Sequence, residues 1–598
     1  MGLMKQAYDT YCTFEKRYAG RYFEESREPL APVSHQIVRA DIEITLDPEG
    51  ALVSARLREK AEPPVIVPVT ERSAGRTGTT AGSSPHPLCD QIRFFSPEYP
   101  EEYAAYLAQL HEWETSPHGH PKLRAVARYV EKGTILEDLR RLGLIALNDK
   151  GLPVKEKQFV CWCVESGRED DVPECWKDRS LFRAFIDYYE ARENRDQVYC
   201  MVTGERTVSA VQHPKKILNE YANAKLISAN DTGGFTYRGR FTDDRQALTV
   251  GYAASQKAHS ALRWLAANQG VSIGKRTFLC WSPQGVALPG PTSPMLRPAE
   301  ALRKPSDYKR ALRDALQGWA AALPDKASAV IAAFDAATSG RLSLTYYSEL
   351  QASDFLMRLY AWDSSCQWWN GPFGVQSPSL YQIVSCAFGT PQTEKGQTRL
   401  KADDRVLGQQ IQRLVSCRVD SGRVPPDIPR ALAERASNLQ LLEPGLRESL
   451  LFTACAVIKK YHFDRNGEEW NMALEPDKRD ISYQYGRLLA VLEKIERDTY
   501  DREENREPNA MRMQPVYARR PQYAGRIIWE QLKKAYYPRL RPAARAFYDR
   551  LIGEIAEQIS AFPAAEQNRP LGDTYLLGYY LQRSELYRPR TEEKKTEE

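Results

Sequence analysis

Hydrophobic and polar residues alternate along much of the first half of the chain. Residues 40–46 alternate, residues 47–50 carry the Pro and Gly of a turn, and alternation resumes over 52–57. This pattern predicts a hairpin with one apolar face, because successive side chains of a strand point to opposite sides. Short apolar runs predict further strands at 65–67, 158–164 and 197–202.

Helical spacing is interleaved with these strands. Apolar residues three and four positions apart predict helices at 103–110, 125–132 and 136–142. Residues 249–267 first alternate and then take a helical period. We therefore expect a mixed α/β domain whose sheet is mainly antiparallel, because hairpins outnumber strand–helix–strand units.

From residue 298 onward the strand signals fade and helical spacing takes over. Helices are expected at 308–323, 327–337, 347–362 and 406–415. After Met472 four more are expected, at 481–495, 524–536, 547–559 and 574–586. Pro538 and Pro542 separate the second of these from the third. Four amphipathic helices joined in this way are typical of a four-helix bundle.

The chain is too long for one hydrophobic core. It has 598 residues, whereas single cores stop growing at about 250–300 residues. The patterns divide it into an N-terminal α/β domain at 1–297, a helical middle domain at 298–471 and a C-terminal helical bundle at 472–598. The predicted fold class is therefore α+β.

Charge and composition narrow the function classes. The 83 Lys and Arg residues exceed the 78 Asp and Glu residues by only five, which argues against a uniformly basic nucleic-acid coat. No secretion signal is visible, and the most apolar stretch, 450–458, is too short to span a bilayer. Eleven cysteines without tight spacing are typical of reduced thiols. We expect a cytoplasmic protein with no membrane partner.

Catalytic motifs are scarce. Residues 270–275 resemble a phosphate-binding loop but are one residue short, and Arg276 takes the place of the hydroxyl residue. Cys161 and Cys163 lack the spacing and the second pair that a zinc site needs, and the eight histidines are scattered. We therefore expect no catalytic residues, no metal site and no cofactor. The alternative is a metal-dependent nuclease or phosphohydrolase that uses scattered carboxylates.

Two polar segments of the first domain suit contacts with nucleic acid. Residues 72–78 join two arginines to glycines and hydroxyls, so that guanidinium groups and backbone N–H groups can approach phosphates or a guanine edge. Residues 228–240 mix amides, glycines, aromatics and arginines, and Lys257, at the start of the next helix, could enter a duplex as a wedge. The residues predicted to recognise a DNA motif and open the duplex are Arg72, Arg76, Thr77, Asn230, Arg238, Arg240, Gln256 and Lys257.

A basic segment lies between Met511 and Arg550. It holds ten Lys or Arg residues against only Glu530 and Asp549, and Tyr517, Tyr523, Tyr536 and Tyr537 lie among these charges. Basic residues interleaved with aromatics suit a single strand whose bases are exposed. The residues predicted to bind such a strand are Arg512, Arg519, Arg520, Arg526, Lys533, Lys534, Arg541 and Arg545.

Met472 can be interpreted in two ways. Gly467, Glu468 and Glu469 have purine-rich codons that resemble a ribosome-binding site, at a usable spacing from this methionine. Met472 is then either an internal start that produces residues 472–598 as a separate small protein, or an ordinary residue before a helix.

The chain resembles the Csd family of CRISPR-associated proteins, the large subunit of the type I-C Cascade surveillance complex. No single motif is diagnostic, but many occur in the same order over almost the whole length. They lie at 30–35, 73–78, 85–90, 200–204, 235–240, 254–259, 345–347, 353–356 and 486–490.

The resemblance implies a non-enzymatic role. The large subunit inspects duplex DNA for a short protospacer-adjacent motif and helps to open it, while crRNA pairing supplies sequence specificity. Its C-terminal bundle resembles the small subunit that holds the displaced strand. The implied partners are crRNA, target double-stranded DNA, a crRNA-processing cap subunit, backbone subunits, a small subunit translated within the same gene, and a helicase-nuclease recruited afterwards.

Overall fold

The computed structural model describes residues 2–76, 84–165, 171–192, 197–228, 241, 248–394, 396–501, 504 and 506–588. The chain forms two compact units. The first comprises Met1–Ser272, Arg276–Leu288 and Lys326–Leu350, and the second Ile273–Lys275, Pro289–Asp325 and Gln351–Glu598. Strands concentrate toward the N-terminus and helices toward the C-terminus, which confirms the predicted mixed fold class.

The first unit mixes helices and strands. Its helices are α1 (Leu3–Tyr18), α2 (Glu71–Gly75), α3 (Pro100–Glu114), α4 (Pro121–Glu131), α5 (Ile135–Arg141), α6 (Arg179–Arg192) and α7 (Tyr252–Gln269). Its strands are β1 (His35–Val38), β2 (Ile42–Leu46), β3 (Leu52–Leu57), β4 (Val65–Pro68), β5 (Val160–Val164), β6 (Gln197–Tyr199), β7 (Arg206–Val208), β8 (Val271–Ile273, which ends in the second unit), β9 (Arg276–Trp281), β10 (Ser328–Thr338) and β11 (Arg341–Gln351).

The predicted hairpin of β2 and β3 is confirmed and belongs to a three-stranded sheet. Strand β2 pairs with β3 in antiparallel and with β5 in parallel orientation, with Ile42 opposite Val160. Every residue of β5 is buried, which explains why its sequence is a continuous apolar run. Helix α4 packs on β2 and β5 and closes this core.

A four-stranded sheet, in the order β11-β10-β9-β8, corrects two predicted helices. The predicted helix at 327–337 is strand β10, and the predicted helix at 347–362 is split between the end of β11 and a helix that begins at Ala352. In β10 the residues from Ala329 to Phe334 are all buried. Because such a run is apolar at every position, it satisfies helical spacing as easily as strand spacing.

The second unit is mainly helical. Its helices are α8 (Pro305–Ala321), α9 (Ala352–Ser365), α10 (Leu380–Phe388), α11 (Asp404–Val419), α12 (Asp427–Ala436), α13 (Pro444–Asn466), α14 (Ile481–Arg497), α15 (Asn509–Arg512), α16 (Gln514–Arg519), α17 (Pro521–Ala535), α18 (Pro542–Ser560) and α19 (Tyr575–Leu586). Its short strands are β12 (Trp368–Trp369), β13 (Val375–Gln376), β14 (Thr390–Glu394) and β15 (Gln397–Lys401). The β14–β15 hairpin was not predicted, because its residues are almost all polar and exposed.

The four helices predicted after Met472 are confirmed as α14, α17, α18 and α19. Helix α14 is central and packs against the other three. It contacts α19 at very short range, since a Cβ at Gly578 would lie 2.1 Å from the carbonyl oxygen of Tyr483. This close approach leaves α14 buried on nearly all sides, including polar residues such as Gln484, Arg487 and Glu493.

Candidate nucleic-acid interface

Arg72 lies on a short helix that its own cap stabilises. The hydroxyl of Thr70 accepts a hydrogen bond from the Ser73 backbone N–H at 3.1 Å, and the Ser73 hydroxyl accepts one from Thr70 N–H at 3.0 Å. Such reciprocal bonds satisfy N–H groups that a helix start leaves free. The Arg72 side chain is exposed and forms no ion pair with any described residue, so its guanidinium is available to a ligand.

Arg76, by contrast, already has a partner. Its Nη1 donates to Asp90 Oδ2 at 2.7 Å and to the Ser84 carbonyl at 3.1 Å, while Nη2 contacts the other carboxylate oxygen. Asp90 is fully buried and also accepts hydrogen bonds from the backbone N–H groups of His86 and Gln91, both at 2.7 Å. In this structure Arg76 therefore neutralises a buried carboxylate and ties the end of α2 to the backbone around residue 90.

Four of the predicted motif-recognition residues lie outside the described residues. They are Thr77, Asn230, Arg238 and Arg240. Their assignment stays a prediction from the sequence.

Lys257 lies in the second turn of α7 and faces α1. Its Nζ is 2.9 Å from Glu15 Oε2, and it lies 5.4 Å from the ring centre of Tyr11 and 6.0 Å from that of Tyr8. The neighbouring Gln256 is 9% exposed. A wedge role for Lys257 therefore requires that its ammonium leave Glu15 and the two tyrosine rings.

A strip of lysines beside Arg76 was missed by sequence reasoning. Lys215 and Lys225 are paired across an antiparallel bridge, and Lys225 pairs in turn with Arg341, so three basic residues occupy adjacent backbone positions. Lys215 Nζ donates to the Arg76 carbonyl at 2.8 Å. Burial lowers the pKa of Lys215 and Lys225, and it lowers that of Lys216 to about 8. In the sequence, only the two consecutive lysines Lys215 and Lys216 indicated that basic residues cluster here.

In the basic segment of the second unit most of the predicted cations are exposed. Arg526 approaches Glu530 at 4.0 Å, and Arg545 donates to the carbonyls of Leu540, at 3.0 Å, and Pro538. The other six form no ion pair and no side-chain hydrogen bond with any described residue, and all are exposed: Arg512, Arg519, Arg520, Lys533, Lys534 and Arg541.

Helix α17 separates this charge from its buried face. Ala524, Ile528 and Leu532 recur every four residues and are fully buried, whereas Arg526, Lys533 and Lys534 lie on the opposite, exposed side. The helix therefore presents cations in a row rather than scattered around its circumference.

The expected interleaving of tyrosines with these cations is corrected by the structure. Tyr517 is fully buried and donates to the Tyr485 carbonyl at 2.9 Å, and Tyr536 is 8% exposed. Tyr537 donates to the Asp549 carboxylate, and burial together with this bond raises its pKa to about 12. Tyr523, 49% exposed, is the one of the four that could stack on a base. The buried tyrosines Tyr517 and Tyr536 therefore occur in this segment because they pack in the core of the helical bundle.

Three further observations concern possible metal ligands, cysteines and membrane-spanning helices. No group of three or more His, Cys, Asp or Glu among the described residues is arranged to hold a metal ion. All eleven cysteines are free thiols, and Cys161 and Cys163 lie inside the buried strand β5. None of the described helices combines the length and the apolar character that a membrane crossing requires.

Comparison with known proteins adds one finding. The sequence model of a family described as CRISPR-associated protein (Cas_Csd1) matches residues 16–587. The match therefore extends over both structural units, and it includes Arg72 and the exposed cations between Arg512 and Arg541. No curated protein matches the chain.

Proposed function

The chain belongs to the Cas_Csd1 family of CRISPR-associated proteins, and on this premise we propose that it is the non-catalytic large subunit of a type I-C Cascade complex. In this role it recognises the protospacer-adjacent motif of double-stranded DNA, promotes unwinding and R-loop formation, and supports recruitment of a helicase-nuclease. Base pairing with crRNA supplies the sequence specificity, and the protein reads only a short motif and the backbone.

The observation that carries this proposal is the set of six exposed cations that form no ion pair with a described residue, between Arg512 and Arg541 in the second unit. Exposed cations attract a phosphate backbone and release its counterions, which is a large part of the affinity for nucleic acid. Because the same helices leave Tyr523 exposed, this surface suits a single strand better than a closed duplex. We assign it to the displaced strand.

Motif recognition is assigned to the first unit. Arg72 is exposed there, and a guanidinium can donate two hydrogen bonds to the O6 and N7 of guanine in the major groove. The half-buried lysines 215 and 225 add positive charge near Arg76, where phosphate contacts would fix the register of the duplex.

The proposed partners follow from this assignment. They are crRNA, the target duplex, the crRNA-processing cap subunit, the backbone subunits and a small subunit. If Met472 is an internal start, the small subunit has the sequence of residues 472–598 and the same basic face.

The test uses the assembled complex and targets that carry an intact or an altered motif. Replacement of Arg519, Arg520, Lys533 and Lys534 by alanine should flatten the dependence of log K on log salt by about 2–3, since each contact with a single strand contributes about 0.7. Discrimination between the two targets should not change. A salt slope equal to that of the wild type would show that this face does not hold DNA.

A matched variant controls for the loss of charge alone. Arg310→Ala and Arg313→Ala together remove exposed cations of α8 and should leave the slope unchanged. The non-catalytic assignment has its own test. Cleavage of plain DNA by the isolated chain with Mg²⁺ or Mn²⁺ would overturn it in favour of a metal-dependent nuclease.

A further inference from the structure

Arg487 is a buried arginine whose bonding partners are all neutral. Its residue is 2% exposed in the middle of α14. Nε donates to Gln582 Oε1 at 3.0 Å, and Nη1 donates to the Pro476 carbonyl at 2.7 Å and to Gln484 Oε1 at 2.8 Å. Nη2 donates to none of the described residues. Three neutral acceptors thus hold the guanidinium in place without cancelling its charge.

The other fully buried arginine of the second unit, Arg418, has a carboxylate partner. Arg418 Nη2 lies 2.9 and 3.0 Å from the two carboxylate oxygens of Asp363, and both side chains are 1% exposed. A buried charge without a counter-ion is costly. No described carboxylate lies within ion-pair distance of Arg487. Burial lowers the pKa of its guanidinium, and the carboxylates of Glu554 and Asp477 act at longer range to raise it. The charge of Arg487 is therefore only partly compensated.

Arg487 lines a cavity of about 1110 Å³ between α14, α18 and α19. Three further cations at this cavity have carboxylate partners, with Lys494 beside Asp498, Arg550 3.9 Å from Glu554, and Arg588 3.0 Å from Glu585. The fourth, Arg541, is exposed and forms no ion pair with a described residue. Five cations and three carboxylates line the cavity, so its net charge is positive.

Beside these charged side chains and the polar Gln582 and Tyr548, the cavity wall has an apolar part. Phe547, Leu551 and Leu586 line it together with the aliphatic residues at the start of α18. A ligand that suits both parts carries an anion at one end and a flat apolar surface at the other. A nucleotide has this composition, because its phosphodiester accepts hydrogen bonds from guanidinium groups and its base stacks on aromatic side chains.

We propose that this cavity receives one nucleotide of single-stranded DNA, with its phosphodiester between Arg487 and Arg541 and its base against Phe547 and Leu551. The proposal rests on the displaced-strand function assigned above and adds to it a binding site for one nucleotide. Arg541 belongs both to the six exposed cations without ion pairs and to the cavity, so it is the cation that the two binding surfaces share.

The test measures binding of a fluorescein-labelled 12-nucleotide oligothymidylate to the full-length chain by anisotropy, over a series of salt concentrations. Arg541→Ala, an exposed change that should not affect folding, and Arg487→Lys, which keeps the charge but loses the fork, should each weaken binding about three- to tenfold. Arg541→Ala should also flatten the salt slope by about 0.7. Arg550→Ala, which removes a paired cation of the same cavity, is the matched control and should have a smaller effect.

The outcomes separate the two levels of the proposal. If the wild type binds the oligomer but Arg541→Ala and Arg487→Lys bind it equally well, the cavity is not a nucleotide site and the displaced-strand function stands. If neither the wild-type chain nor its assembled complex binds the oligomer, the displaced-strand function itself fails. If poly-glutamate of equal charge displaces the oligomer from the wild type and this competition is lost in Arg541→Ala, the cavity takes an acidic protein segment, which overturns the proposal.

Discussion

Arg76 and Asp90 form a bidentate ion pair in which the carboxylate is completely buried. Both Nη atoms of the arginine contact the carboxylate, one of them at 2.7 Å from Oδ2, and the guanidinium lies 5.0 Å from the ring centre of Phe94. The pair connects the end of α2 to the backbone around residue 90. A side chain held in this way is better suited to positioning the adjacent loop than to reading a base.

Arg76→Ala should therefore reduce stability more than any other change in this segment. It leaves the Asp90 charge buried and unpaired, which typically costs about 3–5 kcal/mol. Urea unfolding should show this loss in the transition of the first unit. Arg72→Ala, four residues away on the exposed side of α2, should unfold like the wild type. If Arg72 reads a base, its loss should instead cost about 1–3 kcal/mol of binding to the intact motif. Equal stability of the two variants would contradict the structural role of Arg76.

Variants of Lys257 and Glu15 can distinguish a lysine that enters the DNA duplex from a lysine that only forms a structural ion pair. Lys257→Ala and Glu15→Gln both break the 2.9 Å contact between α7 and α1, so a purely structural lysine predicts the same outcome for both variants. If the lysine enters the duplex, only Lys257→Ala should slow opening. Fluorescence of 2-aminopurine placed beside the motif reports opening directly. Glu15→Gln should then open DNA at least as fast as the wild type, because its lysine is released. Normal opening by Lys257→Ala would reject the wedge.

Four buried histidines of the first unit make its stability sensitive to acid. Burial lowers the pKa of His35 and His259 to about 4 and that of His86 and His213 to about 3. The unfolded chain binds protons below about pH 6.5, while the folded chain does not until about pH 4. Stability is therefore full above pH 6.5 and falls as the pH drops, by about 1.4 kcal/mol per pH unit for each histidine.

His259→Gln provides the measurement. Nε2 of His259 has no hydrogen-bond partner among the described residues, so a proton added there would meet no acceptor. Urea unfolding at pH 7, 6 and 5 should show a pH dependence flatter by about 1.4 kcal/mol per unit in this variant. A steeper profile in His259→Gln would contradict this account.

His462, in the second unit, changes stability with pH in the opposite direction. Burial acts to lower its pKa, but the hydrogen bond to Asp573 and nearby carboxylates raise it overall. Its contribution is present below about pH 6.5 and is lost as the pH rises through the folded value.

Sequence reasoning succeeded where one face of an element is apolar. Where both faces are apolar it was ambiguous, since it identified strand β5 but not β10. Helices α14, α17, α18 and α19 were predicted because each repeats apolar residues at a helical period. Strand β10 is apolar on both sides, so its sequence also fits helical spacing and was predicted as a helix. The polar β14–β15 hairpin has no apolar pattern from which a strand could be predicted. At the candidate site, the sequence identified the charges but not their partners. Nothing near Arg76 in the sequence indicates that Asp90, fourteen residues later, takes its guanidinium.

Residues 472–598 contain the contacts of an independent module. The segment has an internal polar network, in which Tyr517 donates to the Tyr485 carbonyl at 2.9 Å and Tyr579 donates to the buried Glu493 at 2.6 Å. It is also tied to the rest of the second unit, since His462 Nε2 lies 2.8 Å from Asp573 Oδ1 and the Trp369 N–H donates to the Met472 carbonyl at 3.2 Å. We expect that the segment, expressed from Met472, folds cooperatively but melts at a lower temperature than the intact second unit.

Two glycines give matched variants for this experiment. Gly578→Val should abolish the cooperative melt followed by circular dichroism, because its Cβ would lie 2.1 Å from the Tyr483 carbonyl oxygen and would force α19 away from α14. Gly553→Ala, on the exposed side of α18 where no atom lies within 4 Å of the new Cβ, should leave the melt unchanged or raise its midpoint, since alanine favours a helix over glycine by about 1 kcal/mol. A segment that melts without cooperativity would show that its core needs α13 and the Trp369 region. It would then follow that an internal start at Met472 does not produce a folded small subunit by itself.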